Sequence, residues 1–463
     1  MRIAAIDQGT TSTRCLVVDE QGAHLASARR HARYHSEAGW VEHDPEELLR
    51  NVQAVLDSAG PVDAIAIANQ GESCLAWDAQ SGRALSPVIV WQDTRTAGTL
   101  KALGGDAEAR SRAITGLPLD PYFSASKLAW LLKNVPAVAQ AHAAKRLRFG
   151  TTDAFFLDRL TGEFLTDVAT ASRTGLMDLE RLDWSQEMCD LHGVPIECLP
   201  CIVPVNNGFG TVGEVPVVAS IVDQQAALYG HGCREPGDSK ITFGTGAFFL
   251  AVSGGSRPDS KELLPTIAWQ MKGEQPVYAI EGGVYDAGAA LEWARSLGLY
   301  SALEELKEFE GATALSRGIV FVPALSGLAA PHWDRTAAPL FIGMDHATDR
   351  RDLVRAVLEG VAMLTAGLID TAAQACPLDV AISIDGGLSQ SHYFAEFLAS
   401  ASERNVNVPS MYELSALGLA GLCGMNVKEM RGVVTTFHPN SLVSAGDRQR
   451  FGAAIALAKG WRD

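Results

Sequence analysis

One pattern occurs twice in this chain, at its N-terminus and again near its middle. The apolar runs Ile3–Ile6 and Cys15–Val18 flank a polar turn containing Gly9, Thr10, Thr11 and Ser12. Two β-rich runs this close in sequence pair as an antiparallel hairpin. Lys240–Val252 repeats the arrangement, with Gly244, Thr245 and Gly246 at the turn, and Val380–Gly387 is a further strand entering a glycine turn. Two halves, each opened by such a hairpin, predict a duplicated α/β fold with a nucleotide held between two lobes. At the first turn the hydroxyls and amides of Thr10, Thr11 and Ser12 suit a phosphate. Asp7 can hold a hydrated Mg²⁺, and Arg14 adds a positive charge. Taken alone, the segment reads equally as an ordinary hairpin with a polar turn.

At 463 residues the chain is too long for one ordinary core. The polar, glycine-bearing stretch Tyr229–Gly237 is the natural boundary, giving expected domains 1–232 and 233–463. A net charge of −16 argues against nucleic acid or an anionic membrane as partner. The eight cysteines are dispersed; Cys198 and Cys201 form the one close pair, with no second pair and no His partner in sequence, so the spacing reads as chance. The best apolar run, Gly318–Pro331, is interrupted by Pro323 and Ser326, which excludes a membrane span there. Strand-like sequence from Ile3 leaves no room for a signal peptide, and reduced thiols fit a cytoplasmic protein.

Short apolar runs alternate with helical stretches, as in α/β proteins. Asp44-Pro45-Glu46-Glu47 predicts a helix start, with Asp44 as N-cap, Pro45 in the first turn and Glu47 closing a capping box. Ala64–Gln70 and Val88–Asp93 read as apolar strands ending in polar side chains, where open α/β sheets place ligands. Pro216–Leu228 reads as a strand, an acid and a helix start, which sets Asp223 at a strand end facing a cleft. A carboxylate there can accept a hydroxyl proton while Asp7 supports Mg²⁺, and it reads equally well as a helix N-cap. The chain contains no GxxxxGK[ST] loop and no strand-linked GxGxxG, so phosphate binding falls to the separate Gly/Thr turns.

A series of motifs then carries a resemblance. Asp7–Ser12, Gly39–Pro45, Val90–Thr96, Gly116–Trp130, Thr166–Thr174, Asp223–Leu228, Phe243–Gly246, Gly327–Asp334, Asp385–Gly387 and Ala416–Gly418 occur in one order along the whole chain. In this series the chain resembles the FGGY carbohydrate kinases, and within them the members that phosphorylate glycerol. The resemblance implies a two-lobe, actin-like (RNase H-like) ATPase fold closing on ATP and a small polyol. It implies Asp223 as catalytic base and Asp7, with Asp223, as the Mg²⁺ site. Thr10, Thr11, Ser12, Arg14, Gly244, Thr245, Gly288, Glu292, Gly387 and Ser391 are the implied nucleotide contacts. For the acceptor it implies Glu72, Tyr122, Asp223 and Gln224 as hydroxyl partners, with Trp91 and Phe248 as apolar walls; plain core aromatics are the alternative for the last two. It also makes a dimer or tetramer expected.

Three departures bear on the substrate. Where the glycerol-phosphorylating members carry Asn-Gln-Arg-Glu, this chain has Asn69-Gln70-Gly71-Glu72. The missing arginine removes a charged contact worth roughly 1.5–3 kcal/mol. It is also expected to vacate volume for a longer polyol or a ketose such as erythritol, ribitol, xylulose or ribulose. Glu292 and Ser391 stand where those members place Gln and Asn. The segment Val203–Val215 is shorter than the family's usual loop, so inhibition by a sugar bisphosphate is expected to be missing. The competing class is a non-enzymatic actin-like nucleotide switch, which would need the hairpins but not Glu72, Tyr122 or Trp91.

Overall fold

The computed structural model describes residues 1–36 and 39–462. Strands β1 (Ile3–Gln8), β2 (Ser12–Asp19) and β3 (Gly22–Arg30) form an antiparallel meander. Strands β4 (Ala64–Asn69) and β5 (Val215–Val222) add in parallel, giving the order β5-β4-β1-β2-β3 with Thr211–Val212 outside β5. Every residue of β4 is buried. A strand flanked by parallel neighbours and covered on both faces needs an unbroken apolar run, which Ala64–Ala68 supplies.

The second half repeats this plan. Its strands are β6 (Ser239–Phe243), β7 (Ala247–Gly254), β8 (Leu264–Trp269), β9 (Val277–Val284), β10 (Ala381–Gly386), β11 (Asn405–Pro409) and β12 (Val434–Phe437), ordered β8-β9-β7-β6-β10-β11-β12. The run β9-β7-β6-β10-β11 matches β3-β2-β1-β4-β5 in order and in the sense of every pairing. The duplicated α/β architecture expected from the two hairpins is therefore present.

Two local expectations differ. Helix α1 (Pro45–Asp57) starts as predicted, with Asp44 Oδ1 accepting from the Glu46 amide at 2.9 Å. Glu47 does not close a capping box; its carboxylate accepts from the Ala32 amide at 3.3 Å, because the chain entering the helix folds back alongside it. The run Val88–Asp93 is paired only at Val88–Ile89, in a separate five-stranded sheet. Beyond Ile89 the buried Asp93 takes over, accepting from the Val41 amide and from the backbone N, Nε and Nη2 of Arg95.

The remaining helices that matter for the site are α2 (Asp223–Gly230), α3 (Gly288–Ser296), α4 (Arg350–Ala375), α5 (His392–Ser402) and α6 (Leu414–Leu422). Helices α2 and α6 meet backbone to backbone. A Cβ on Gly230 would lie 1.8 Å from the Leu414 carbonyl oxygen, and one on Gly418 1.8 Å from that of Ala226. Only glycine permits this crossing. One buried cluster draws on both halves around it, including Ile221, Leu228, Leu250, Leu414 and Leu417. Another, including Phe243, Phe321 and Phe394, fills the second half.

All eight cysteines are free thiols. Folding does bring His142 and Glu197 close to Cys198, within 4.8 Å, but Cys201 stays outside that group. Among the described residues no helix is long and apolar enough to cross a membrane.

Candidate active site

The first hairpin closes through the Gly9 amide, which donates to the Ser12 carbonyl at 3.0 Å. That turn leaves Asp7 near the end of β1, with Arg14 as its register partner on β2. Burial lifts the Asp7 carboxyl to about 6, with Glu413 adding to the shift and Arg14 opposing it. Arg14 is ion-paired to Glu413 at 2.6 Å. The Thr10 hydroxyl accepts from Trp91 Nε1 at 3.0 Å, which ties the turn to an aromatic wall.

Asp223 is the first residue of α2, directly after β5, and Val222 holds the cap position. Among the described residues its carboxylate accepts only from the next amide, that of Gln224, at 2.7 Å. The N-cap reading is thereby set aside. Burial raises Asp223 to about 8, with Asp7 and then Glu72 adding to it and Lys240 opposing. Lys240 is itself fully buried and donates to Gln224 Oε1 at 2.5 Å and to Thr242 at 3.0 Å. Two buried acids, one of which raises the other, form a site that a divalent cation would relieve.

A cavity of about 100 Å³ lies beside Asp223, lined by Thr10, Gly71, Glu72, Trp91, Tyr122 and Arg173 among others. Trp91 stands edge-on to Tyr122 and to Phe248, with ring centroids 5.5 and 6.3 Å apart. These rings wall a cavity rather than fill a core. The Tyr122 carbonyl is held by buried Lys127 Nζ at 2.7 Å. Glu72 sits in the left-handed backbone region at φ 58° and is raised to about 7, chiefly by burial. Trp91, Tyr122, Phe248 and Glu281 also line a second chamber of about 300 Å³ on the other side of the aromatic wall.

The expected opening beside Gly71 is not there. A Cβ at residue 71 would lie 2.9 Å from Val222 Cγ2, so the valine already occupies that space. At the Cβ position, then, the absent side chain leaves no opening.

On the second half, the Gly244–Gly246 turn docks on the start of α3. The Ala287 and Ala289 amides donate to Thr245 O at 3.1 and 2.9 Å, and the Gly288 amide to Gly244 O at 3.0 Å. A Cβ on Gly288 would come within 2.4 Å of Gly244 O, whereas the Cβ direction of Gly387 is open. Glu292 lies on α3 with its carboxylate exposed and paired to Arg295. Ser391 is buried; its hydroxyl donates to the Leu306 carbonyl at 2.5 Å and accepts from the Phe394 amide at 3.1 Å. Its side chain caps α5 and is not free for a nucleotide base.

Sequence reasoning did not single out Arg173 and Glu281, which line the cavity, or Lys240, which holds Gln224 from behind. Glu281 had a signal, as a lone acid in the apolar strand Val277–Val284. Lys240 opens the second hairpin, and a lysine carries no sequence signal of burial.

The description "FGGY family of carbohydrate kinases" matches this chain over residues 2–230 for its N-terminal domain and 239–427 for its C-terminal domain. A glycerol kinase of Mycoplasma genitalium is 38% identical over 450 residues, covering 91% of this chain and 89% of that protein. The structure of Plasmodium falciparum glycerol kinase with ADP superposes with a TM-score of 0.89 at 28% identity, over 99% of this chain and 98% of that one. A xylulose kinase from Lactobacillus acidophilus shares the fold, with a TM-score of 0.85 at 21% identity over 99% and 96% of the two chains.

Proposed function

The chain belongs to the FGGY family of carbohydrate kinases and is an ATP-using phosphotransferase with an alcohol acceptor, and from that premise we propose that it phosphorylates a terminal hydroxyl of glycerol. The observation that carries this reading is the small cavity beside Asp223, where a single unpaired acid faces hydroxyl-binding groups between aromatic walls. About 100 Å³ holds a few water-sized groups, the scale of a three-carbon polyol. Glu72, Asp223 and Glu281 outnumber Arg173 in its lining, which disfavours an anionic acceptor.

Asp223 accepts the hydroxyl proton as the acceptor oxygen attacks the γ-phosphorus, and ADP leaves. Glu72, Tyr122 and Gln224 orient the acceptor, and Trp91 and Phe248 cover its carbon chain. Thr10, Thr11, Ser12 and Arg14 on one lobe, with Gly244 and Thr245 on the other, contact the phosphates, while Gly288, Glu292 and Gly387 border the nucleoside. Asp7 and Asp223 would hold Mg²⁺, which when bound neutralises charge on the β- and γ-phosphates. The lobes divide at residues 232/233 and work by closing on each other, which keeps water from the γ-phosphate. We place the protein in the cytoplasm, as a dimer or tetramer.

One observation favours a second reading. The 300 Å³ chamber shares Trp91, Tyr122, Phe248 and Glu281 with the acceptor cavity, so a longer polyol or ketose could extend past the wall. ADP release measured with glycerol, erythritol, ribitol, xylulose and ribulose separates the two. Preference for glycerol is expected; preference for a five-carbon acceptor selects the second reading, and no acceptor-dependent release from any of them refutes both.

A further inference from the structure

Arg173 is the largest charged side chain in the acceptor cavity, and it is only 1% exposed. Two sides of its guanidinium are engaged. Nε donates to Glu72 Oε1 at 2.8 Å, and Nη2 donates to Glu281 Oε1 at 2.9 Å. The two carboxylates come from opposite halves of the chain, so the arginine is pinned between them. Its face also lies 5.5 Å from the Phe123 ring. Nη1, the third side, has no hydrogen-bond partner among the described residues although it is buried. A buried donor attached to a full positive charge and left unpaired costs more free energy than most single contacts return. A guanidinium that lines a ligand cavity, held rigidly by two carboxylates with one nitrogen unpaired, is built to donate to something that arrives.

We propose that Arg173 Nη1 donates a hydrogen bond to an acceptor hydroxyl other than the one Asp223 deprotonates, making Arg173 a specificity-determining residue. It rests on the polyol-kinase reading above. Gly71 and Val222 support it from the other side. Gly71 offers the acceptor no side chain, and a Cβ there would meet Val222 Cγ2 at 2.9 Å, so among the described residues Arg173 is the one cation in the cavity lining. Arg173 stands within the same lining, beside Glu72. The fork geometry matters as much as the charge. Lysine at 173 keeps a cation between Glu72 and Glu281 but cannot serve three partners in one plane.

The test compares glycerol with propane-1,2-diol and propane-1,3-diol, each lacking one hydroxyl, in wild type and Arg173→Lys. In wild type the diol without the Nη1-bound hydroxyl should lose roughly ten- to a hundredfold in kcat/KM, mainly through KM. In Arg173→Lys that penalty should fall to within about threefold while the penalty for the other diol persists. Unchanged discrimination by a folded Arg173→Lys protein that still binds ADP overturns the inference and leaves the kinase reading standing. Absence of turnover with every polyol in wild type instead overturns the kinase reading and this inference with it. If Arg173→Lys does not fold, a crystal structure of wild type with glycerol decides. A glycerol oxygen within hydrogen-bond distance of Nη1 supports the inference, and an Nη1 without one refutes it.

Discussion

Asp223→Asn should make the protein more stable and nearly inactive, and the stability gain should depend on pH. Burial holds the Asp223 carboxyl at about 8, against an ordinary 3.8. Between those values the folded protein keeps a proton that the unfolded chain gives up. Stability contributed by that proton is therefore complete below about pH 4 and is lost as pH rises towards 8. The shift of about 4 units, at 1.36 kcal/mol each, sets a ceiling on the order of 5 kcal/mol above pH 8. Asparagine has nearly the shape of the protonated acid and carries none of this cost. Unfolding of both proteins at pH 5 and pH 8 reads the difference, which should be small at the first and a few kcal/mol in favour of asparagine at the second. Turnover should fall by about 10²–10⁴-fold, the usual worth of a general base, while ATP binding stays within about threefold. In wild type, kcat/KM for the acceptor should fall at low pH as Asp223 takes up a proton, with Mg²⁺ bringing the midpoint below about 8. A variant that turns over within about tenfold of wild type, or gains no stability between pH 5 and pH 8, refutes the assignment of Asp223.

Gly288→Ala would press a Cβ to 2.4 Å from the Gly244 carbonyl oxygen. It should cost about 1–3 kcal/mol of stability and raise KM for ATP severalfold with KM for the acceptor unchanged, as read by thermal unfolding and ADP release. A sugar bisphosphate should leave turnover unaffected, given the short segment at Val203–Val215; inhibition in the same assay contradicts this.

Much of the architecture was legible because it is written in local pattern. Strand β4 had to be buried on both faces, since Ala64–Ala68 offers no polar side to solvent. The two hairpins declared the duplication, because each sets a Gly/Thr turn between two apolar runs close enough to pair. Asp223 was legible as a strand-end acid, and the fold resolved its ambiguity by giving Val222 the cap. What was not legible depends on contacts between distant segments. The consequence of Gly71 turns on Val222, 151 positions away in the chain, which sequence cannot place beside it. Arg173 joins Glu72 to Glu281 across separations of 101 and 108 residues, and the Ser391 hydroxyl donates to the Leu306 carbonyl 85 positions away. Charged residues read as surface by default, so the buried Lys240 and Arg173 gave no warning.

The most direct test of the account is ³¹P NMR of the protein incubated with ATP, Mg²⁺ and glycerol. The account predicts loss of the γ-phosphate signal matched by a phosphomonoester on a terminal carbon of glycerol, with no signal growth from free phosphate. Release of inorganic phosphate alone, or an ATP spectrum that glycerol does not change, would contradict it.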